Sequence, residues 1–109
     1  MKHHRLDDMT KGWFVGDFSP VVVNSKKCEV AIKRYSAGDY EAPHYHRIAT
    51  EVTTVISGRI KMLGREWNVG DILTIEPGEA TDFMALSDAI TVVVKVPSIV
   101  DDKYFVESE

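Results

Sequence analysis

Three residues with metal-ligating side chains lie close together near the middle of the 109-residue chain. His44 and His46 are separated by one residue, so in an extended strand both imidazoles project from the same face. Glu51 follows five positions later, and a short turn would bring its carboxylate back to the same pocket. Two imidazoles and one carboxylate suit a divalent transition metal with open coordination positions. This stretch therefore predicts a metal site formed by His44, His46 and Glu51.

The spacing around these residues resembles the first signature motif of the cupins. Its fixed positions are matched, at the intervals that the motif requires, by Gly38, His44, His46, Glu51 and Gly58. The glycines at both ends suit turns, where a positive φ is often needed. The match covers about a fifth of the chain. The resemblance implies a jelly-roll β-barrel with one bound metal and chemistry on a small organic molecule.

Residues 70–83 resemble the second cupin motif but depart from it. Gly70 and Gly78 occupy its two glycine positions, whereas Thr81 stands where the family has a metal-binding histidine. If Thr81 faces the pocket, Asp82 faces away, because neighbouring residues of a strand alternate between faces. Three interpretations stay open: a three-ligand site with open positions, a site in which Asp82 replaces the histidine, or a metal-free pocket that binds an organic ligand.

Short strands separated by turn signals make up most of the sequence. Alternating or β-branched runs predict strands at 27–35, 51–57, 60–63, 66–69, 72–75, 81–86 and 89–96. The Ser57–Gly58–Arg59 turn is predicted to close a hairpin between two of these strands. No segment has a sustained helical period, so the pattern predicts an all-β antiparallel sandwich or barrel. Within that class, the cupin resemblance implies a single-domain antiparallel jelly-roll β-barrel.

The first of these strands has an apolar and a polar face. Cys28, Val30 and Ile32 share the apolar face, which we assign to the core. Cys28 is therefore predicted to be a small core residue and not a ligand. In the strand at 51–57, the alternation places Glu51 on the same face as Thr53 and Val55.

A single domain accounts for a chain of 109 residues. Residues 1–12 are polar and mixed in charge, and they are expected to form a loosely ordered N-terminal arm. Residues 97–109 are expected to form a C-terminal tail that packs on the sheet or on a second subunit. Trp13, Phe14 and Phe18 form an aromatic patch that is expected to cover one sheet edge.

Composition argues against nucleic-acid and membrane partners. Lys and Arg number 13 against 17 Asp and Glu, and no basic cluster is dense enough for a nucleic-acid surface. The longest apolar runs, 21–23 and 92–94, are too short to span a bilayer. The first residues lack the apolar segment of a signal peptide, and the single cysteine excludes an internal disulfide. We expect a cytoplasmic protein.

We expect the chain to form a homodimer. Aromatic side chains remain at both ends of the sequence. They are Trp13, Phe14 and Phe18 near the start and Tyr104 and Phe105 near the end. Such apolar material on a small domain favours pairing, and a two-fold dimer is the commonest soluble oligomer.

Two functions of different classes are compatible with these residues. The first is an enzyme in which one divalent metal (Fe, Mn, Zn or Ni) supports oxygenase- or isomerase-type chemistry on a small molecule, as the cupin resemblance implies. Glu51 acts as a general base in that case if it does not bind the metal. The alternative is a non-catalytic or metal-free pocket that binds a sugar or another small metabolite.

Overall fold

The computed structural model describes residues 1–107. Within them the chain forms two 3-10 helices, Leu6–Asp8 and Thr10–Gly12, and eleven strands. The predicted C-terminal tail therefore ends with two residues, 108 and 109, that lie outside the described part. The strands are β1 (Trp13–Gly16), β2 (Val23–Asn24), β3 (Glu29–Tyr35), β4 (Tyr40–Tyr45), β5 (Thr50–Ser57), β6 (Ile60–Met62), β7 (Arg65–Trp67), β8 (Ile72–Ile75), β9 (Thr81–Ala85), β10 (Ala89–Val96) and β11 (Tyr104–Phe105).

The strands form two sheets, and the core lies between them. The first sheet has the order β2-β1-β3-β10-β5-β8, and the second has the order β11-β4-β9-β6-β7. All strand pairs in the described residues are antiparallel except β1 with β2. The predicted all-β antiparallel class is confirmed, with two open sheets in place of a closed barrel. No helix in residues 1–107 is long and apolar enough to cross a membrane.

The predicted hairpin at Ser57–Gly58–Arg59 is wrong. β5 pairs with β10 and β8 in the first sheet, whereas β6 pairs with β7 and β9 in the second. Gly58 therefore carries the chain from one sheet to the other. Its φ is 78°, and a Cβ atom there would collide with the carbonyl oxygen of Asp88, so this crossing requires glycine.

The predicted core face of β3 is also wrong. Ala31 is fully buried, and Lys33 and Tyr35 point with it into the space between the sheets. Ile32 lies on the outer face, where the N-terminal segment covers it with Leu6 and other side chains. The outer face of β3 is therefore apolar because the N-terminal segment lies over it. Cys28 precedes the strand, is only half-buried and does not belong to the core.

The apolar core fills only part of the space between the sheets. Its members are apolar residues of both sheets, each less than a tenth exposed: Val55, Ile60, Met62, Leu73, Ile75, Phe83, Ala85 and Ala89. Complete burial of a large aliphatic side chain contributes about 1.5–3 kcal/mol, so this cluster is a main source of stability. The inner face of β5 extends from the core to the polar space beside it. This face carries Val55 in the core and then Thr53 and Glu51, which share the face as predicted.

Candidate functional site

A cavity of about 230 Å³ lies between the sheets, beside the core. Met62 and Phe83 contribute apolar surface to it, and β3, β4, β5 and β10 contribute polar side chains. The polar lining residues are Tyr35, Glu41, His44, Glu51, Thr53, Thr91, Lys11, Lys33, Lys95 and Lys103. An open cleft of about 540 Å³ under the N-terminal segment shares Lys11, Lys33, Tyr35 and Glu41 with the cavity and therefore adjoins it.

An irregularity in β4 brings Glu41 and His44 to the same cavity. In a regular strand, residues three positions apart point to opposite faces. The register with β9 shifts between the pairs Glu41–Phe83 and His44–Thr81, as in a β-bulge, and both side chains line the cavity. Sequence reasoning missed Glu41 because a period of two places it on the other face.

Glu51 lies on β5, in the opposite sheet to His44, and lines the same cavity. Its carboxylate accepts a hydrogen bond of 3.1 Å from the Thr53 hydroxyl. The expectation that Glu51 returns to the pocket of His44 agrees with this placement. Thr53, two positions further along the same strand, therefore orients the Glu51 carboxylate.

His46 lies in a different pocket from His44. It follows the last residue of β4, is 5% exposed and lines a neighbouring pocket together with Asp102. The two imidazole ring centres are 5.6 Å apart. Nδ1 of His44 lies 3.0 Å from the carbonyl oxygen of Ala42, and an N–H donated there leaves Nε2 free as a ligand.

Two observations at His44 and His46 are compatible with a divalent metal. Nε2 of His46 is buried without a hydrogen-bond partner in the described residues, and a bound ion is one group that satisfies such an atom. Two imidazoles that bind one ion at about 2.1 Å hold their ring centres within about 6 Å, so the spacing of His44 and His46 is suitable. Glu51 does not complete the set, because no three His, Cys, Asp or Glu side chains of residues 1–107 are arranged to hold a metal.

The surroundings of His46 keep its imidazole neutral. Burial, together with the positive charge of Lys95, lowers the pKa of His46 to about 4. Neutral imidazole is the form that binds metals.

Tyr35 is a second site residue that sequence reasoning missed. It packs against Phe83, with ring centres 4.3 Å apart, and lines the cavity. Burial and the carboxylates of Glu41 and Glu51 raise the pKa of Tyr35 above its ordinary value. Its hydroxyl therefore stays protonated and can donate a hydrogen bond to a ligand. Sequence reasoning would have identified Tyr35 only with a correct assignment of the inner face of β3.

Thr81 has a structural role beside the site. It is buried on the same face as Phe83 and Ala85, which confirms the predicted register of this strand. Its hydroxyl accepts a hydrogen bond of 2.9 Å from the Leu63 N–H and donates one of 2.7 Å to the Asp82 carbonyl oxygen. At the position where the second cupin motif has a histidine, the Thr81 hydroxyl is thus hydrogen-bonded to the backbone.

Trp13 belongs to β1 and lines the cavity, so the expectation that it only covers a sheet edge is wrong. Nζ of Lys95 lies 4.9 Å and Nζ of Lys33 lies 5.6 Å from the centre of its ring. Both ammonium groups are close enough for cation–π attraction. The aromatic ring therefore forms one wall of the site.

The loop between His46 and Glu51 is held by one buried carboxylate. Asp102 accepts hydrogen bonds from the backbone N–H groups of Arg47 at 3.0 Å, Ile48 at 3.2 Å and Ala49 at 2.9 Å. Burial raises the pKa of Asp102, but these donors together lower it more, so the net value lies below the ordinary one. No local sequence pattern identifies Asp102, because Ala49 is 53 residues away.

Comparison with solved structures identifies the class of fold. A conserved protein with a double-stranded β-helix domain from Klebsiella pneumoniae subsp. pneumoniae MGH 78578 superposes with a TM-score of 0.68 and 24% identity, over 77% of this chain and 74% of that one. An RmlC-like cupin from Shewanella frigidimarina NCIMB 400 gives 0.62 and 18%, over 70% and 71%. A sugar phosphate isomerase of the cupin superfamily from Silicibacter pomeroyi DSS-3 gives 0.61 and 21%, over 66% and 52%.

The chain therefore has a double-stranded β-helix fold. More narrowly, it has the cupin fold, and the resemblance to the cupin superfamily is confirmed at that level. No family model and no curated protein sequence matches the chain.

Replacement of Asp102 tests whether its carboxylate stabilises the loop between His46 and Glu51. Asp102→Asn removes the charge and turns one acceptor oxygen into a donor, so we expect the free energy of unfolding to fall by about 1–3 kcal/mol at neutral pH. Because the folded pKa is below the ordinary value of about 3.9, the wild-type advantage is present above about pH 4. It is lost as pH falls through the lower folded pKa.

Urea denaturation of both proteins at several pH values measures this difference. The exposed neighbour Asp101 supplies the matched control, Asp101→Asn, which should leave the stability nearly unchanged. An equal loss in both variants, or a wild-type advantage that persists under strongly acidic conditions, would contradict the assignment.

Proposed function

We propose that the chain is an enzyme that moves a proton on a small organic molecule in the cavity between the sheets, in isomerase-type chemistry. The observation that carries this proposal is the presence of four proton-transfer groups in one cavity: Tyr35, Glu41, His44 and Glu51. They come from β3, β4 and β5, so both sheets contribute. Such side chains are the usual general acids and bases of enzymes.

Glu51 and Tyr35 have complementary roles in this proposal. Glu51 is the base that removes a proton from the carbon next to a carbonyl group. Tyr35 donates a hydrogen bond to that carbonyl oxygen as negative charge develops on it. Glu51 then returns the proton to the former carbonyl carbon, while the proton of the neighbouring hydroxyl group passes through Tyr35 to the former carbonyl oxygen, so that the hydroxyl oxygen becomes the new carbonyl.

The sugar phosphate isomerase with the same fold supports this reaction class, although fold alone does not determine function. The oxygenase chemistry that the sequence also allowed does not require this set of acid–base groups. A set of proton-transfer side chains around one cavity therefore favours isomerase-type over oxygenase-type chemistry.

His44 and His46 would hold the divalent transition metal of this proposal, and Glu51 could add a third donor only by turning from its position in the cavity. When bound, the metal would polarise a substrate oxygen as a Lewis acid. Two imidazoles are few ligands, and the nearby lysine charges oppose a cation. The metal should therefore be held weakly.

Deuterium exchange tests the reaction class. In D₂O, glucose 6-phosphate or ribose 5-phosphate should exchange its C2 hydrogen for deuterium in the presence of the protein, as followed by NMR. Glu51→Gln should slow this exchange by about 100-fold or more, because it removes the base. The exposed Glu66 supplies the control Glu66→Gln, which should exchange at the wild-type rate. Normal exchange in Glu51→Gln would exclude its assigned role, and absence of exchange from a sugar phosphate that binds would refute the proposed chemistry.

Metal content tests the role of the histidines. Protein purified without an affinity tag and loaded with Zn²⁺ or Fe²⁺ should release the ion readily to a coloured chelator. His44→Ala and His46→Ala should each remove the specific ion, because each removes one imidazole, while circular dichroism shows the fold intact. His3→Ala is the matched control and should bind as wild type. Full occupancy in either of the first two variants would show that the central histidines do not hold a metal.

We also propose that two copies of the chain pair through the outer face of the first sheet. β-branched side chains continue across β10, β5 and β8 in two neighbouring rows: Val92, Thr54 and Ile72, then Val94, Val52 and Thr74. Ile72 is 65% exposed at the end of the first row. The aromatic residues expected to mediate pairing are partly used within the chain, since Trp13 lines the cavity and Tyr104 stacks on Tyr45 at 5.6 Å.

Sedimentation velocity tests this pairing. The wild type should sediment as a dimer at about 20 µM, where an ordinary specific dimer persists. Ile72→Asp should produce a monomer, because it places a charge in the apolar face. Met84 lies on the outer face of the second sheet, so Met84→Asp should remain dimeric. A monomeric wild type, or an equal effect of both substitutions, would argue against this interface.

A further inference from the structure

Positive charge is concentrated in the cavity of a chain that is negative as a whole. Four lysines, Lys11, Lys33, Lys95 and Lys103, line the cavity against the two carboxylates of Glu41 and Glu51. The complete sequence has a formal charge of −4. The positive charge in the cavity is therefore a local feature that does not follow from the overall charge of the chain.

None of these four ammonium groups is neutralised at contact distance in the described residues. The ion pairs of residues 1–107 within 4.0 Å are Arg34–Asp7 and Arg59–Glu66, which both lie on the surface. Lys95 is the cross-strand partner of Glu29 on one side and Glu51 on the other, yet it contacts neither carboxylate within that distance. Lys33 and Lys95 are partly buried, and partly buried ammonium groups without a partner favour the arrival of an anion.

Trp13 places two of these ammonium groups on one wall. Lys95 and Lys33 project from neighbouring strands, β10 and β3, and their Nζ atoms lie 4.9 Å and 5.6 Å from the centre of the indole ring. The negative face of the ring attracts both groups and partly offsets their mutual repulsion. Two lysines are thereby held together before any ligand binds.

The electrostatics of Lys33 agree with this arrangement. Burial is the main cause that lowers the pKa of Lys33, and the charges of Lys11, Lys95 and Lys103 add to it, against the opposite effect of Glu41. A bound anion would relieve this repulsion between the lysines. Lys11 and Lys33 also line the adjoining open cleft, together with Arg34 and the carboxylates of Asp7, Asp39 and Glu41.

We propose that Lys33 and Lys95, supported by Trp13, bind an oxyanion group of the substrate, a phosphate or a carboxylate. This inference rests on the proposed function in using the same cavity, and it names the substrate class: a small organic acid or phosphate ester. The charged group sits on the lysines, which leaves the uncharged part of the molecule for Tyr35 and Glu51. In this arrangement, the lysines position the substrate and take no part in the proton transfer.

Equilibrium affinity for anions, measured separately from turnover, tests the lysine site. Calorimetry on the full chain compares ribose 5-phosphate, galacturonate and inorganic phosphate with uncharged ribose. Anionic probes should bind saturably, and ribose should not bind. Tighter binding of ribose 5-phosphate than of galacturonate identifies a phosphate site, and the reverse order identifies a carboxylate site. Binding should weaken as salt concentration rises, because the contact is between charges.

Lysine variants identify the residues that bind the anion. Lys33→Met and Lys95→Met each keep the aliphatic stem and remove the charge, and each should weaken binding of the anionic probe by about tenfold or more. Trp13 fluorescence in a Trp67→Phe background provides a second readout on the same wall of the cavity. Lys61 is exposed on β6, and Lys61→Met should bind as the wild type does.

Failure of this inference differs from failure of the proposed reaction. Unchanged affinity for anions in both Lys33→Met and Lys95→Met, or equal affinity for ribose and ribose 5-phosphate, overturns the oxyanion site. Anion binding that both variants weaken, without deuterium exchange in any probe, supports the site and overturns the isomerase chemistry. Exchange that keeps its wild-type KM in both variants supports the chemistry and overturns the site.

Discussion

Hydrogen bonds from three backbone amides to the buried carboxylate of Asp102 fix the geometry on which the candidate site depends. β4 and β5 lie in opposite sheets, so the chain must cross between them through Arg47–Ala49. The N–H groups of this crossing have no ladder partner, and buried amides without acceptors are costly. Asp102 supplies the acceptor. The histidines precede the crossing and Glu51 follows it, so a residue of the C-terminal segment determines how the two halves of the site face each other.

One part of the space between the sheets is apolar and stabilises the fold, and the other part is polar and forms the candidate site. At one end, apolar side chains such as Val55 and Ile60 are completely buried. At the other, Tyr35 on β3, Glu41 on β4 and Glu51 on β5 line the cavity together with the lysines. A polar interior contributes less to stability than an apolar one of equal size, because each polar group needs a partner. The same burial shifts protonation, since it keeps His46 neutral and Tyr35 protonated.

The sequence was sufficient for the fold class and for part of the site. β10 occupies the predicted residues, and β9 ends one residue before its predicted end, because their alternation is strong. Glu41 could not be predicted from a period of two, since the irregularity in β4 changes the face between it and His44. Tyr35 and Lys33 were hidden for another reason. The N-terminal segment covers the outer face of β3, and an apolar outer face is indistinguishable from a core face in sequence alone.

The irregularity in β4 also makes the composition of the cavity independent of one residue of chain length. Glu41 and His44 are three residues apart, whereas their partners Phe83 and Thr81 are two apart. Loss of the extra residue would restore regular pairing with β9 and leave both side chains on the inner face, because residues two positions apart in a strand share a face. The strand order would be unchanged, and the core cluster contains no residue of β4. Insertions and deletions are usually associated with loops, but related proteins with the same sheets could differ in length inside this strand and keep the same acid and imidazole in the cavity.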